Sequence, residues 1–111
     1  MTLKLKSLSL AALMTVTLSA QAQTEITWWH SMTAFNNEWV NTLAKQFNES
    51  QKAYKVTPIY KGSYDESMTA AIAAFRAGNA PHILQVFEVG TATMMASKGA
   101  IVPAGKVMAD A

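Results

Sequence analysis

The sequence contains no cysteine, and only 14% of its residues are charged. Without cysteine the chain forms no disulfide, and an exported form cannot carry the lipidated N-terminal cysteine of a lipoprotein. The enzyme motifs G-x-S-x-G, H-E-x-x-H and Walker A are also missing. The two histidines, His30 and His82, lack the clustered spacing of metal ligands. We therefore expect a protein without enzyme activity, metal or other cofactor.

The first residues have the three-part order of a secretory signal peptide. A lysine-containing start (residues 1–6) precedes an apolar, uncharged run (8–19) and an A-x-A motif (20–22). The apolar run is short for a bilayer span, which favours cleavage between Ala22 and Gln23 over an uncleaved anchor. Cleavage predicts a periplasmic protein that is not anchored in the membrane.

Removal of residues 1–22 leaves residues 23–111, which are enough for one small domain. Because Lys4 and Lys6 lie in the leader, the remaining chain has as many basic as acidic side chains. A neutral chain without a basic patch argues against nucleic-acid binding.

Apolar periodicity alternates along the chain between the strand and the helix pattern. Strands are predicted at residues 25–29, 54–60 and 83–87, and helices from Phe35 to about Asn48, from the capping box of Ser63 and Glu66 to Gly78, and from Thr91 to Lys98. This order predicts an α/β fold with a parallel, doubly wound sheet. Three strands make a thin sheet with open edges, which we interpret as the opening part of a longer protein.

Individual residues refine this prediction. Pro58 cannot donate to a ladder and places the second strand at an edge of the sheet. The near-continuous apolar character of residues 83–87 predicts a strand buried on both faces. The apolar face of the first helix is predicted to comprise Phe35, Trp39, Val40, Leu43, Ala44 and Phe47, with Trp28, Trp29, Met94 and Met95 as further core residues. His30 is interpreted as structural and His82 as a loop residue.

Ligands of such sheets bind outside the carboxyl ends of the strands. Glu88 follows the third predicted strand at this edge, where a carboxylate either caps the helix that begins at Thr91 or meets a ligand. Tyr64 lies at the start of the second helix, where packing and ligand contact are both open from the pattern alone.

Three stretches carry a resemblance to a known family: "WHSM" at residues 29–32, "YKGSYDES" at 60–67 and, most specifically, "IAAFRAGNAPHILQVFEVGTATMMASK" at 72–98. Over nearly all residues after the leader, the chain resembles the N-terminal part of the periplasmic sn-glycerol-3-phosphate-binding proteins. These are extracellular solute-binding proteins of ABC import systems, related to the maltose-binding protein. The last residues resemble the family only loosely.

The resemblance implies the first part of one lobe of a two-lobe protein, which holds a small solute between its lobes and delivers it to ABC permease subunits. Tyr64 and Glu88 match a tyrosine and a glutamate that contact the ligand in this family. The other ligand contacts, including an arginine for the phosphate, match nothing in this sequence. The alternatives are an exported α/β enzyme with catalytic residues further along the chain, or a binding protein for an oligosaccharide or a glycerophosphodiester.

Overall fold

A computed structural model describes residues 22–111. The predicted signal peptide lies almost wholly outside the described residues, and its cleavage stays a prediction. Within residues 22–111, no helix combines the length and the apolar character needed to cross a bilayer. The chain forms the strands β1 (Thr24–His30), β2 (Tyr54–Tyr60) and β3 (Ile83–Leu84), the helices α1 (Ala34–Ser50), α2 (Tyr64–Arg76), α3 (Thr91–Ala96) and α4 (Ala104–Ala109), and a 3₁₀ turn (Glu88–Gly90).

The three strands make one parallel sheet in the order β2-β1-β3. The register places Thr24 opposite Tyr54 and His30 opposite Tyr60, so β1 and β2 pair along their whole lengths. The predicted α/β class and parallel sheet are therefore confirmed, with β1 in the middle.

The outer edge of β2 is closed by side chains from the end of α1. Asn48 bonds both main-chain groups of Val56, with N···O distances of 2.7 and 2.9 Å. Gln51 does the same for Tyr54 at 2.8 Å for each bond. Main-chain groups alternate sides along a strand, so Pro58, two residues beyond Val56, also faces outward and leaves no donor unused. The predicted edge position of this strand is confirmed.

The third strand is shorter and more exposed than predicted. Its ladder covers Ile83 and Leu84, followed by one more bond from the Gln85 amide to the carbonyl of Trp29 at 2.9 Å. Because β1 ends at His30, no strand remains opposite the residues after Gln85. Ile83 is 45% exposed, so the prediction of a strand buried on both faces is wrong for the described residues. Its exposed side borders an apolar cavity of about 600 Å³ between α2, α3 and α4.

The start of α2 confirms the predicted capping box. The hydroxyl of Ser63 accepts from the amide of Glu66 at 3.3 Å, and the Glu66 carboxylate accepts from the amide of Ser63 at 2.7 Å. Gly62 has a φ of +83°, and a Cβ at this position would collide with the Glu66 carboxylate. Glycine is thus required here twice, by its backbone conformation and by the cap.

Helix α1 buries a narrower stripe than its periodicity predicts. Only Val40 and Ala44 are fully buried, at 1% and 5% exposure. The other predicted core residues of this helix are exposed to between 37% and 77%: Phe35, Trp39, Leu43 and Phe47. A spacing of four residues drifts around the helix by about 40° per step. The larger side chains therefore leave the face that meets the narrow sheet.

The last part of the chain departs most from the prediction. Met94 is buried, but its neighbour Met95 is 71% exposed, so only the first belongs to the core. Helix α3 ends at Ala96, two residues earlier than predicted. Helix α4 was not predicted, because its six residues give too short a pattern to classify.

Candidate functional site at the carboxyl edge of the sheet

Three chain segments meet at the carboxyl ends of the strands, which we call the carboxyl edge. They are the loop after β1 (residues 31–33), the turn from β2 into α2 (61–63), and the segment from β3 into the 3₁₀ turn (85–88). The amide of Lys61 donates to the carbonyl of His30 at 2.9 Å, and the amide of Ser31 donates to the side chain of Gln85 at 3.0 Å. The three segments are thus tied together by hydrogen bonds.

The two residues suggested by the resemblance, Tyr64 and Glu88, lie on different elements of the fold. Tyr64 is the first residue of α2 and is half-buried. Its ring lies 5.3 Å from the ring of Phe87, with an angle of 31° between the two planes. Since Phe87 directly precedes Glu88, the structure brings Tyr64 to the neighbour of Glu88.

Glu88 is exposed and caps neither of the helical turns that follow β3. The N-cap position of the 3₁₀ turn is Phe87, and that of α3 is Gly90, which has no side chain. Glu88 is instead the first residue of the 3₁₀ turn, where a negative charge complements the turn's dipole only weakly. Neither turn has a side-chain cap hydrogen bond, so the capping alternative is not what the structure shows.

Close packing holds the 3₁₀ turn against α2. Gly90 is buried, and a Cβ there would lie 3.0 Å from both the Met68 sulfur and the Phe87 ring, and 3.1 Å from Val86. Met68 lies one turn along α2 from Tyr64. A side chain at Gly90 would therefore push apart the elements that carry Tyr64 and Glu88.

His30, the last residue of β1, is a buried structural residue, in agreement with the prediction. It is 1% exposed, and its Nδ1 accepts from the amide of Met32 at 3.3 Å. Its ring centroid lies 6.1 Å from those of both Trp28 and Tyr60. Burial lowers the pKa of His30, so the ring is neutral at neutral pH.

One cation also lies at this edge. The Lys61 ammonium sits 3.9 Å from the centroid of the Trp29 ring, a cation–π contact that holds the charge near the end of β2. The acidic residues in or next to the segments of this edge are Asp65, Glu66 and Glu88. The Glu66 carboxylate already accepts a hydrogen bond from the amide of Ser63. Hydrogen bonding with Ser63 lowers the pKa of Glu66, so this carboxylate stays ionised.

This charge balance decides which ligand groups the edge can accept. The capping box already uses the amides of Ser63 and Glu66 at the start of α2. The two carboxylates in the first turn already complement the dipole of that helix, so its N-terminus attracts a further anion less strongly. The exposed Glu88 carboxylate suits hydroxyl groups better than phosphate, whereas the Tyr64 phenol can donate to a hydroxyl or to a phosphate oxygen.

Sequence reasoning assigned no role in the site to three residues of this edge: Gln85, Gly90 and Lys61. Lys61 stands directly after the second predicted strand, which is the signal that could have marked it, whereas Gln85 lies inside the third predicted strand and gives no such signal. Gly90 has an ordinary negative φ, so its role depends on close packing that the sequence does not display. Within residues 22–111, no cluster of three potential metal ligands occurs.

Comparison with known proteins adds a specific likeness. No family model matches the chain. It is 56% identical over 98 residues to the sn-glycerol-3-phosphate-binding periplasmic protein UgpB of Brucella abortus (strain 2308). The aligned residues make up 88% of this chain and 23% of that protein. It is 54% identical over 114 residues to the UgpB protein of Agrobacterium fabrum, covering 99% of this chain and 26% of that protein.

A third relative agrees with these two. The UgpB protein of Rhizobium meliloti is 50% identical over 106 residues, which is 96% of this chain and 25% of that protein. The chain thus spans about a quarter of the length of the curated relatives it matches. The resemblance drawn from the motifs is confirmed: in sequence, this chain is similar to the N-terminal portion of the sn-glycerol-3-phosphate-binding periplasmic proteins.

Proposed function

We propose that this chain is the first-lobe portion of an extracytoplasmic solute-binding protein that delivers sn-glycerol-3-phosphate to the permease of an ABC importer. The observation that carries the proposal is the identity of 50–56% with proteins named for binding this solute. The proposal includes the absence of enzyme activity, since the relatives are named as binding proteins.

In this proposal Glu88 recognises the glycerol hydroxyls. An exposed carboxylate at the carboxyl edge accepts hydrogen bonds from hydroxyl groups, and charged acceptors make the stronger bonds. The same charge repels a phosphate at contact distance. Glu88 therefore marks the glycerol end of the ligand.

The ring of Tyr64 covers the carbon chain of the solute, and its phenol O–H donates to a hydroxyl or phosphate oxygen of the solute. Its ring is already held against Phe87, so little side-chain freedom is lost on binding. The phosphate then lies away from the two carboxylates in the first turn of α2 and needs contacts that Tyr64 and Glu88 do not supply.

Export is the part of the proposal that is easiest to test. The lysine-containing start, apolar run and A-x-A motif support cleavage between Ala22 and Gln23. N-terminal sequencing of the protein from the periplasmic fraction should begin at Gln23. A protein that still begins at Met1, or that is found only in the cytoplasm, would contradict export.

The solute site is tested by Glu88→Gln in the full-length protein that contains this chain. The change keeps the shape and one carbonyl acceptor but removes the charge. The loss of a charge-assisted hydrogen bond should weaken binding by roughly 1.5–3 kcal/mol, about tenfold or more in affinity. Calorimetric titration with sn-glycerol-3-phosphate measures this, alongside the thermal midpoint.

The matched control is Asp65→Asn, which removes a neighbouring exposed carboxylate that has no proposed ligand contact. It should leave affinity unchanged or slightly higher, because a charge that repels the anionic solute is gone. Inorganic phosphate, used as a weak competitor, should bind Glu88→Gln at least as well as wild type. Unchanged affinity for the solute in Glu88→Gln would refute the role of Glu88, and weaker phosphate binding would place it at the wrong end of the ligand.

A further inference from the structure

The short ladder of β3 is extended at both of its ends by side chains. At its amino end, His82 Nδ1 accepts from the amide of Thr27 at 3.1 Å and lies 3.0 Å from the Thr27 hydroxyl. At its carboxyl end, Gln85 Oε1 accepts from the amide of Ser31 at 3.0 Å. Each bond joins residues more than fifty positions apart, so each fastens β3 to β1.

Gln85 contacts β1 through both its main chain and its side chain. Its main-chain amide bonds the carbonyl of Trp29 at 2.9 Å, while its side-chain carbonyl bonds the amide of Ser31 two residues further along β1. In a continued parallel strand, a main-chain carbonyl would accept from Ser31. The side chain takes this place, so the ladder is completed although the main chain is free to turn away toward Phe87.

These two hydrogen bonds of Gln85 lie at the start of the segment that carries Glu88. Three residues beyond Gln85 the chain reaches Glu88, and between them Phe87 contacts the ring of Tyr64. The segment is therefore held at one end by β1 and at the other by α2. Loss of the Gln85 bonds to β1 would therefore change the position of Glu88 relative to the sheet, while the contact between Phe87 and Tyr64 remains.

We propose that Gln85 is a positioning residue of the solute site: it fixes the loop after β1 and the segment that bears Glu88 relative to each other. The inference rests on the proposed function, since it assumes that Glu88 meets the solute. Gln85 itself touches β1 and not the ligand, so it acts through Ser31 and Glu88.

His82 provides a matched control. It makes the same kind of bond to β1, but at the amino end of β3, away from the carboxyl edge. Loss of either side-chain bond should lower stability by a similar amount. Only the loss at Gln85 should alter solute recognition.

The experiment compares Gln85→Met with His82→Leu in the full-length protein. Both variants keep a side chain of substantial volume but lose the acceptor. Gln85→Met should bind sn-glycerol-3-phosphate roughly two- to tenfold more weakly than wild type, the range expected for loss of one hydrogen bond. His82→Leu should bind within about twofold of wild type, although its thermal midpoint also falls.

Two further measurements separate positioning from a general loss of stability. Inorganic phosphate should bind Gln85→Met as it binds wild type, because only the hydroxyl end of the site is displaced. Hydrogen exchange of the Ser31 amide should accelerate in Gln85→Met and not in His82→Leu.

The outcomes also separate this inference from the proposed function. Wild-type protein that binds no sn-glycerol-3-phosphate overturns both. Wild-type protein that binds it, with Gln85→Met unchanged in affinity or with phosphate weakened in parallel, overturns the positioning role alone.

Discussion

The two edges of the sheet are built differently. At the outer edge of β2, the side-chain amides of Asn48 and Gln51 bond both main-chain groups of the residues they face, and Pro58 removes a donor. At the outer edge of β3, the apolar side chain of Ile83 is 45% exposed beside an apolar cavity. Among residues 22–111, no strand covers that second edge.

Among residues 22–111, only the edge of β2 thus has its main-chain groups paired by side chains. Sealed polar groups and a proline are the devices by which proteins end a sheet. An apolar, unsealed strand has the composition of an interior strand of a parallel sheet. This fits the similarity of the chain to only about a quarter of the length of its relatives.

Breaking the seal of β2 should have the largest effect on stability. Asn48→Ala removes both partners of the half-buried main chain of Val56. Leaving such groups without partners should lower the free energy of unfolding by roughly 1–3 kcal/mol. Urea denaturation of the full-length protein, followed by tryptophan fluorescence, measures this loss.

Two matched variants sharpen the comparison. Gln51→Ala breaks the same kind of paired hydrogen bonds, but around Tyr54, which is exposed, so water replaces the lost partners at a smaller cost.

Ile83→Thr changes the exposed face of β3, on the other side of the sheet. If that edge stays uncovered in the full-length protein, the substitution should cost less than about 0.5 kcal/mol. A large cost there would show that other residues cover β3, whereas a negligible cost for Asn48→Ala would show that β2 needs no seal.

Much of the fold was predictable because its signals are local. The capping box of Ser63 and Glu66 and the edge position of Pro58 each depend on a few neighbouring residues, and both are confirmed. The length of β3 was not predictable from its own residues, because it is set by the end of β1 at His30. The exposure of Trp39 likewise depends on the width of the sheet beneath α1.

The candidate site was predictable only in part. Tyr64 and Glu88 were proposed from the resemblance, while their residue types alone left capping and packing open. The structure shows that Gly90, and not Glu88, is the N-cap of α3 and that Tyr64 contacts Phe87. The contribution of Gln85 comes from a bond across 54 positions of the chain, which no local pattern indicates.

The smallest effect is expected from acid, and it concerns His30, the last residue of the central strand β1. His30 is buried beside the rings of Trp28 and Tyr60, and burial lowers its pKa. An unfolded histidine takes up a proton near pH 6.5, whereas the folded one resists it. Between these two pKa values the unfolded state binds more protons, so stability is complete above about pH 6.5 and is lost as pH falls toward the folded pKa. The thermal midpoint of the full-length protein should therefore decrease between about pH 7.5 and 5.5, and decrease less in His30→Gln. His82→Gln, at the β3 edge, is the control. If the decrease disappears in His82→Gln and persists in His30→Gln, the burial of His30 is not its cause.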